Sequence, residues 1–205
     1  MTRLLLVRHG LTDAVGTTLA GRQPGWRLNA GGRAQVRRLA EALARAPLQA
    51  VYTSPLERAR ETADAIGERQ RLVPRLRPGL IEVDYGAWTG RTFTELSAAP
   101  EWERFNRHRG LVRVPGGELL VEVQARIAGE LEALAAAHRG ATVALVSHGD
   151  VIKSAIAHCL GMPLDLLMRV EVHPASVSII DAAEWGSTVR AVNLPPEAAG
   201  TAGSI

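Results

Sequence analysis

The chain has one cysteine, Cys159, and one lysine, Lys153, in 205 residues. A single thiol excludes an internal disulfide framework, and with it any site built on paired cysteines. Cys159 sits in an apolar helical stretch and reads as a buried, inert thiol. No apolar run approaches the ~20 residues that cross a bilayer. The N-terminus lacks the charged start, long apolar segment and small-residue cleavage site of a signal peptide. A cytoplasmic protein without membrane contact is expected. Charge of one sign is also scarce in excess: 24 basic against 21 acidic residues leave +3. No clustered basic stripe accompanies a nucleic-acid motif, so no nucleic-acid partner is expected. His-Glu-x-x-His and Asp-rich loops are absent too, and the sequence calls for no metal and no cofactor.

What is present is an alternation of apolar runs and helical periodicity. At 205 residues and 46% hydrophobic content, the chain fits one domain spanning 1–205. Residues 3–8 read as a buried strand and 11–28 as a Gly-rich loop. Asn29 is placed to cap a helix carrying Val36, Leu39, Ala40 and Leu43 at helical spacing. Residues 50–53 form a second strand. Ser54-Pro55-Leu56-Glu57 then has the pattern of a capping box with proline at the first helical position, opening a helix to about Gly67. Leu80–Tyr85 reads as a short strand leading into Gly86. Residues 92–113 are polar, with Trp102 and Phe105 as a small core, and read as short helices forming a side excursion or lid. Leu120, Val123, Ile127, Leu131 and Leu134 mark a long amphipathic helix. Strand 142–147, a helix from Asp150 to Leu160, and strands 176–181 and 188–193 follow, with 195–205 as a mobile tail. The expected fold is an α/β three-layer sandwich: a mostly parallel sheet, helices on both faces, and an antiparallel C-terminal edge strand.

Two strands end on His-Gly: Arg8-His9-Gly10 and His148-Gly149. In a parallel sheet, ligands sit beyond the carboxyl ends of the strands, so both imidazoles are candidates for one crevice. Neutral imidazole is a covalent nucleophile toward phosphorus. Such chemistry needs cations on the phosphoryl oxygens and a carboxyl group for the leaving oxygen. Arg8 and Arg58 supply the fork geometry that suits phosphate, and helix N-termini after residues 54 and 149 offer free N–H groups. Spacing alone leaves Glu82, Asp84 and Glu118 as rival acids, and Arg60 as a rival to Arg58. The group Arg104, Arg107, His108, Arg109 and Arg113 reads either as a solvated face or as a field attracting an acidic substrate.

Taken together, these segments resemble the histidine phosphatase superfamily, also called phosphoglycerate mutase-like. The residues that carry the resemblance are Leu-Val-Arg8-His9-Gly10-Leu-Thr12, Tyr-Thr-Ser54-Pro-Leu-Glu-Arg58-Ala-Arg-Glu-Thr62, Glu82-Val-Asp-Tyr-Gly86-Ala-Trp88, Pro115-Gly116-Gly117-Glu118 and Ser-His148-Gly149-Asp, in that order. The resemblance implies a phosphomonoester phosphatase acting through phosphohistidine on His9, without metal. It implies Glu82 as general acid and base. It also implies Arg8, Arg58, His148, Gly149, Thr12, Gly21 and Arg22 as phosphate or substrate contacts. The expected substrate is a small phosphorylated metabolite, and a homodimer is common in such proteins. A phosphoglycerate mutase is the runner-up, with a protein phosphohistidine phosphatase behind it. Departures from the family pattern at Val15, Gln23, Trp26, Arg27 and Leu119 bear on substrate identity and leave the core chemistry intact.

Overall fold

Leu4, Leu5, Leu6 and Val7 are all buried because strand β1 (Thr2–Arg8) lies inside the sheet, between β4 (Thr142–Ser147) and β5 (Val177–Ala183). Alternate side chains serve opposite layers. Leu4 and Leu6 join one apolar core; Leu5 and Val7 join the other. The same division holds in β4, with Val143 and Leu145 on one side and Ala144 and Val146 on the other. A strand covered on both faces reads as a continuous apolar run, which is why these two were legible. The computed structural model describes residues 1–203.

The sheet has six strands in the order β3-β2-β4-β1-β5-β6, where β2 is Leu48–Thr53, β3 is Arg75–Leu76 and β6 is Gly186–Leu194. Strands β3, β2, β4 and β1 are parallel; β5 runs against β1 and β6 against β5. Helices α1 (Ala30–Leu43) and α2 (Glu57–Gln70) cover one face, and α5 (Leu120–Ala137) and α6 (Gly149–Leu160) the other. The α/β sandwich and its antiparallel C-terminal edge are as the sequence implied. Asn29 caps α1 by accepting from the Gly32 N–H at 2.8 Å. Residues 92–113 carry α3 (Phe93–Ser97) and α4 (Pro100–Arg107). Trp102 and Phe105 pack there against Trp88, each with its ring centroid 5.3 Å from the Trp88 ring. No helix among the described residues is long and apolar enough to cross a membrane.

Three local expectations are corrected. Helix α2 starts at Glu57, behind Leu56 and with no side-chain cap. Ser54 is no cap because its hydroxyl is engaged elsewhere, accepting from the Leu56 N–H at 3.4 Å and lying 2.7 Å from His148 Nε2. Leu80–Tyr85 is not a strand: a 3-10 turn over Pro78–Leu80 runs into irregular backbone. Side chains and local or loop backbone bonds, not a neighbouring strand, satisfy that backbone. Arg22 and Arg126 donate to the Glu82 carbonyl at 2.8 and 3.2 Å, and Glu118 accepts from the Asp84 N–H at 2.9 Å. Asp150 lies in the first turn of α6 with its carboxylate directed to Tyr85 and Arg109. Of the tail expected to be mobile, Pro196–Gly203 forms 3-10 turns that bury Ala199 against the α1 layer, and residues 204–205 lie outside the described residues. Cys159 is half-buried, and burial raises its thiol pKa.

Candidate active site

The register of β1 on β4 sets Arg8 opposite Ser147, so the next residue on each strand is a histidine. The His9 N–H donates to the Ser147 carbonyl at 3.0 Å, and the two imidazole centroids lie 5.2 Å apart. Strand β2 ends beside them, and the first turn of α2 delivers Arg58. Thus three strand ends and the Gly79–Tyr85 stretch surround one opening. The cavity measures about 470 Å³ and is lined by Arg8, His9, Thr12, Gly21, Arg58, Glu82 and Gly149, among others.

His9 is oriented from both sides. Its Nδ1 lies 2.7 Å from the Gly10 carbonyl, which can only accept, so Nδ1 carries the proton. The lone pair is therefore on Nε2. The Nε–H of Arg58 donates to it at 3.2 Å, while Arg58 Nη2 holds the Gly21 carbonyl at 2.8 Å. Burial, with Arg58 and Arg8 alongside, keeps the His9 imidazole well below its ordinary 6.5 and hence neutral. A neutral ring with a directed lone pair is the form a nucleophile requires.

His148 is fully buried and fixed through Ser54. Ser54 Oγ already accepts from the Leu56 N–H, so its own proton is free to go to His148 Nε2. That leaves Nδ1 as an N–H with no partner, 4.0 Å from a Glu82 carboxyl oxygen. Arg58 Nη1 and Arg8 Nε are likewise buried without a partner. Arg8 Nη1 anchors on the Val172 carbonyl at 2.6 Å, and the Arg8 guanidinium lies over Gly149. Buried polar groups are normally hydrogen-bonded. Arg8, Arg58 and His148 thus each keep a buried polar nitrogen without a partner close to the His9 ring, although His148 itself does not line the cavity.

Glu82 is partly buried, and Oε1 accepts from the Val83 N–H at 2.9 Å. Burial first, then the negative charge of Asp150, raises its pKa to about 7, against the opposing pull of Arg58 and Arg8. Its rivals lie elsewhere: Asp84 accepts from the Gly86 N–H at 2.9 Å, and Glu118 pairs with Arg22 at 2.8 Å. Neither Asp84 nor Glu118 lines the cavity. Arg22 does not line it either; it is spent on Glu118, Asp84 and the Glu82 carbonyl. Arg60 is exposed on α2.

Tyr85, Asn106 and Lys153 line the cavity without standing out in the sequence as site groups, as does Arg109, which reads there only as one of the basic cluster. Asp150 also lines the cavity. Arg109 stands in the basic cluster, yet it alone of that group is buried, at 3% exposure. It donates to Asp150 at 2.8 Å and to Asn106 at 2.6 Å, and lies 4.9 Å over the Phe105 ring. Among the described residues, no group of three or more His, Cys, Asp or Glu is placed to hold a metal ion.

Comparison with known proteins identifies the family. The family model described as histidine phosphatase superfamily (branch 1) matches residues 4–195. A bifunctional protein of Mycobacterium tuberculosis is 37% identical over 197 residues, covering 94% of this chain and 54% of that protein. The chain therefore spans about half the length of that relative. Phosphoserine phosphatase 1 of Hydrogenobacter thermophilus is 31% identical over 198 residues, covering 95% and 93%. A probable phosphoglycerate mutase of Serratia proteamaculans is 30% identical over 183 residues, covering 88% and 85%. The native structure of a mycobacterial glucosyl-3-phosphoglycerate phosphatase superposes with a TM-score of 0.85 at 29% identity, covering 94% of this chain and 98% of that one. The chain belongs to the histidine phosphatase superfamily, branch 1.

Proposed function

We propose that the protein is a phosphomonoester phosphatase that works without a metal through a phosphohistidine on His9. The observation that carries this reading is the His9 lone pair, fixed by the Nδ1–Gly10 contact and faced by the unpartnered donors of Arg8, Arg58 and His148. In the first step His9 Nε2 attacks phosphorus, the bond from phosphorus to the leaving oxygen breaks, and Glu82 gives its proton to that oxygen. In the second step the Glu82 carboxylate takes a proton from water. The water oxygen attacks phosphorus, the P–N bond breaks, and phosphate leaves with the His9 lone pair restored. Arg8, Arg58 and His148 hold the equatorial oxygens, where charge accumulates in phosphoryl transfer. A carboxyl group with a pKa near 7 is suited to serve both steps at neutral pH.

The substrate in this reading is a small phosphorylated metabolite. Gly149, Thr12 and Gly21 line the cavity beside the phosphoryl position. Phosphatase activity is favoured over mutase activity because the opening carries a single lysine, and its lining includes the apolar Phe93, Trp102 and Met168. A mutase needs further cations to hold a glycerate carboxylate while the phosphoryl group returns. The deciding assay measures free phosphate from a generic aryl phosphate beside interconversion of 2- and 3-phosphoglycerate. Phosphate release with little interconversion is expected; efficient interconversion with little release would reverse the choice.

A further inference from the structure

The carboxylate of Asp150 sits where three elements meet. Its Oδ2 accepts from the Tyr85 hydroxyl at 2.6 Å and from Arg109 Nη1 at 2.8 Å. Tyr85 closes the stretch that carries Glu82, Arg109 follows α4, and Asp150 itself is in the first turn of α6, two residues after His148. All three side chains line the cavity. Arg109 also takes the Asn106 side-chain oxygen at 2.6 Å, so the anchor reaches into α4. The excursion is thus tied to the catalytic stretch through one carboxylate, not through apolar contact alone.

Resting on the reading of Glu82 as the general acid, the geometry points to Asp150 as a positioning residue. Its carboxylate fastens the 93–109 excursion, through Arg109, to the Tyr85 end of the Glu82 stretch, and it sets a fixed negative charge beside the acid. Asp150 is suited to be that fixed charge. Burial opposes its ionisation, but Arg109 above all, with Lys153 and the Tyr85 hydrogen bond, outweighs it and brings its pKa to about 2. At neutral pH it is an anion. A second anion beside a buried carboxyl group disfavours ionisation of that group, and Asp150 is the leading charged neighbour that raises the Glu82 pKa. Other charged or titratable groups face Glu82 as well. Arg8 at the end of β1 and Arg58 on α2 favour its ionisation, and the His148 imidazole lies 4.0 Å away. Tyr85 adds no charge, since burial and Asp150 push its phenol well above 10. Arg22 and Arg126 meet the Glu82 backbone carbonyl instead of its carboxyl group.

The test is the pH dependence of kcat/KM on an alkyl phosphate, which needs an acid for its leaving group. An aryl phosphate with a good leaving group, which needs none, is assayed in parallel. Asp150→Asn removes the charge and keeps the shape; its basic limb is expected to move to lower pH by about one unit or more. Arg109→Gln removes the counter-charge and leaves Asp150, so its basic limb is expected to move to higher pH. Opposite shifts from the two halves of one ion pair would not arise from a loss of packing. Tyr85→Phe keeps both charges and is expected to lower activity with its basic limb in place. If Arg109→Gln and whichever Asp150→Asn protein folds keep the wild-type limb, the inference is overturned. If Glu82→Gln hydrolyses the alkyl phosphate at the wild-type rate, the general-acid reading itself fails, which is a separate result.

Discussion

Arg58 donates its Nε–H to Nε2 of His9 across 3.2 Å, so one guanidinium covers the lone pair of the proposed nucleophile. The contact orients the ring, and in the proposed reaction it would give way to the incoming phosphoryl group. The same fork would then turn to the phosphoryl oxygens, with Nη2 anchored on the Gly21 carbonyl, which it holds at 2.8 Å.

Arg58 therefore has two duties that a lysine cannot combine, because an ammonium has no planar fork. Arg58→Lys is expected to lower kcat/KM by roughly 10²–10³-fold, the range for removing one preorganised donor to the transition state. Tm should also fall, since an ammonium is more strongly hydrated than a guanidinium and cannot keep both the His9 and Gly21 bonds. The check is steady-state kinetics beside a thermal melt of the same preparation.

Ser54 controls which nitrogen of His148 carries the proton. In Ser54→Ala the Nε2 partner is lost, and Nδ1–H is no longer the favoured tautomer. A loss of roughly tenfold in kcat/KM is expected, about the worth of one hydrogen bond to a charged group. Affinity for inorganic phosphate should weaken in parallel. Unchanged phosphate affinity would show that His148 reaches the anion without Ser54.

Glu82 gives a pH dependence with a definite sign. The kcat/KM profile for an alkyl phosphate should fall above about pH 7 as Glu82 loses its proton. An acid limb should lie below the ordinary histidine value, since His9 is held neutral. Glu82→Gln should show a burst of aryl alcohol followed by slow turnover, because water activation is lost along with the acid. Stability moves in a linked way. The folded pKa is above the unfolded value, so the unfolded chain gives up its proton first, and folding stability drops as pH rises from about 4.5 to about 7. Relative to wild type, Glu82→Gln should therefore gain stability between pH 4.5 and 8, by up to about 3 kcal/mol. Denaturant melts at the two pH values measure it.

Gly86 is required by backbone geometry. Its φ is +42°, and a Cβ there would meet the Pro115 carbonyl oxygen at 2.2 Å. Gly86→Ala should displace the stretch that carries Glu82 and Tyr85. A stability loss of about 1–3 kcal/mol is expected, with lower kcat/KM on alkyl phosphates than on activated aryl phosphates. Equal losses on both would mean that the displacement does not reach the acid.

Much of this site could be read from sequence because its histidines end strands buried on both faces, where apolar runs are unmistakable. Position after such a strand narrows the arginine to Arg58 or Arg60, and the family resemblance chooses Arg58. The misreadings share one cause: a polar side chain whose partner is distant in sequence. Ser54 reads as a helix cap until His148, 94 positions away, lies against its hydroxyl. Leu80–Tyr85 reads as a strand because Arg22 and Arg126, which both donate to the Glu82 carbonyl, leave no local pattern. Arg109 is hidden among equivalent-looking basic residues, and only the Asp150 carboxylate, 41 positions away, singles it out. Arg22 was expected among the phosphate contacts, but Glu118 at 2.8 Å holds it behind Glu82.

The most direct test of the account is to trap the covalent intermediate. The enzyme is mixed with a radiolabelled phosphomonoester, quenched in alkali within the first turnover, and the labelled residue is located by mass spectrometry. The account predicts an alkali-stable, acid-labile phosphate on Nε2 of His9, absent from His9→Ala. Label on another residue, or turnover that survives in His9→Ala, would contradict it.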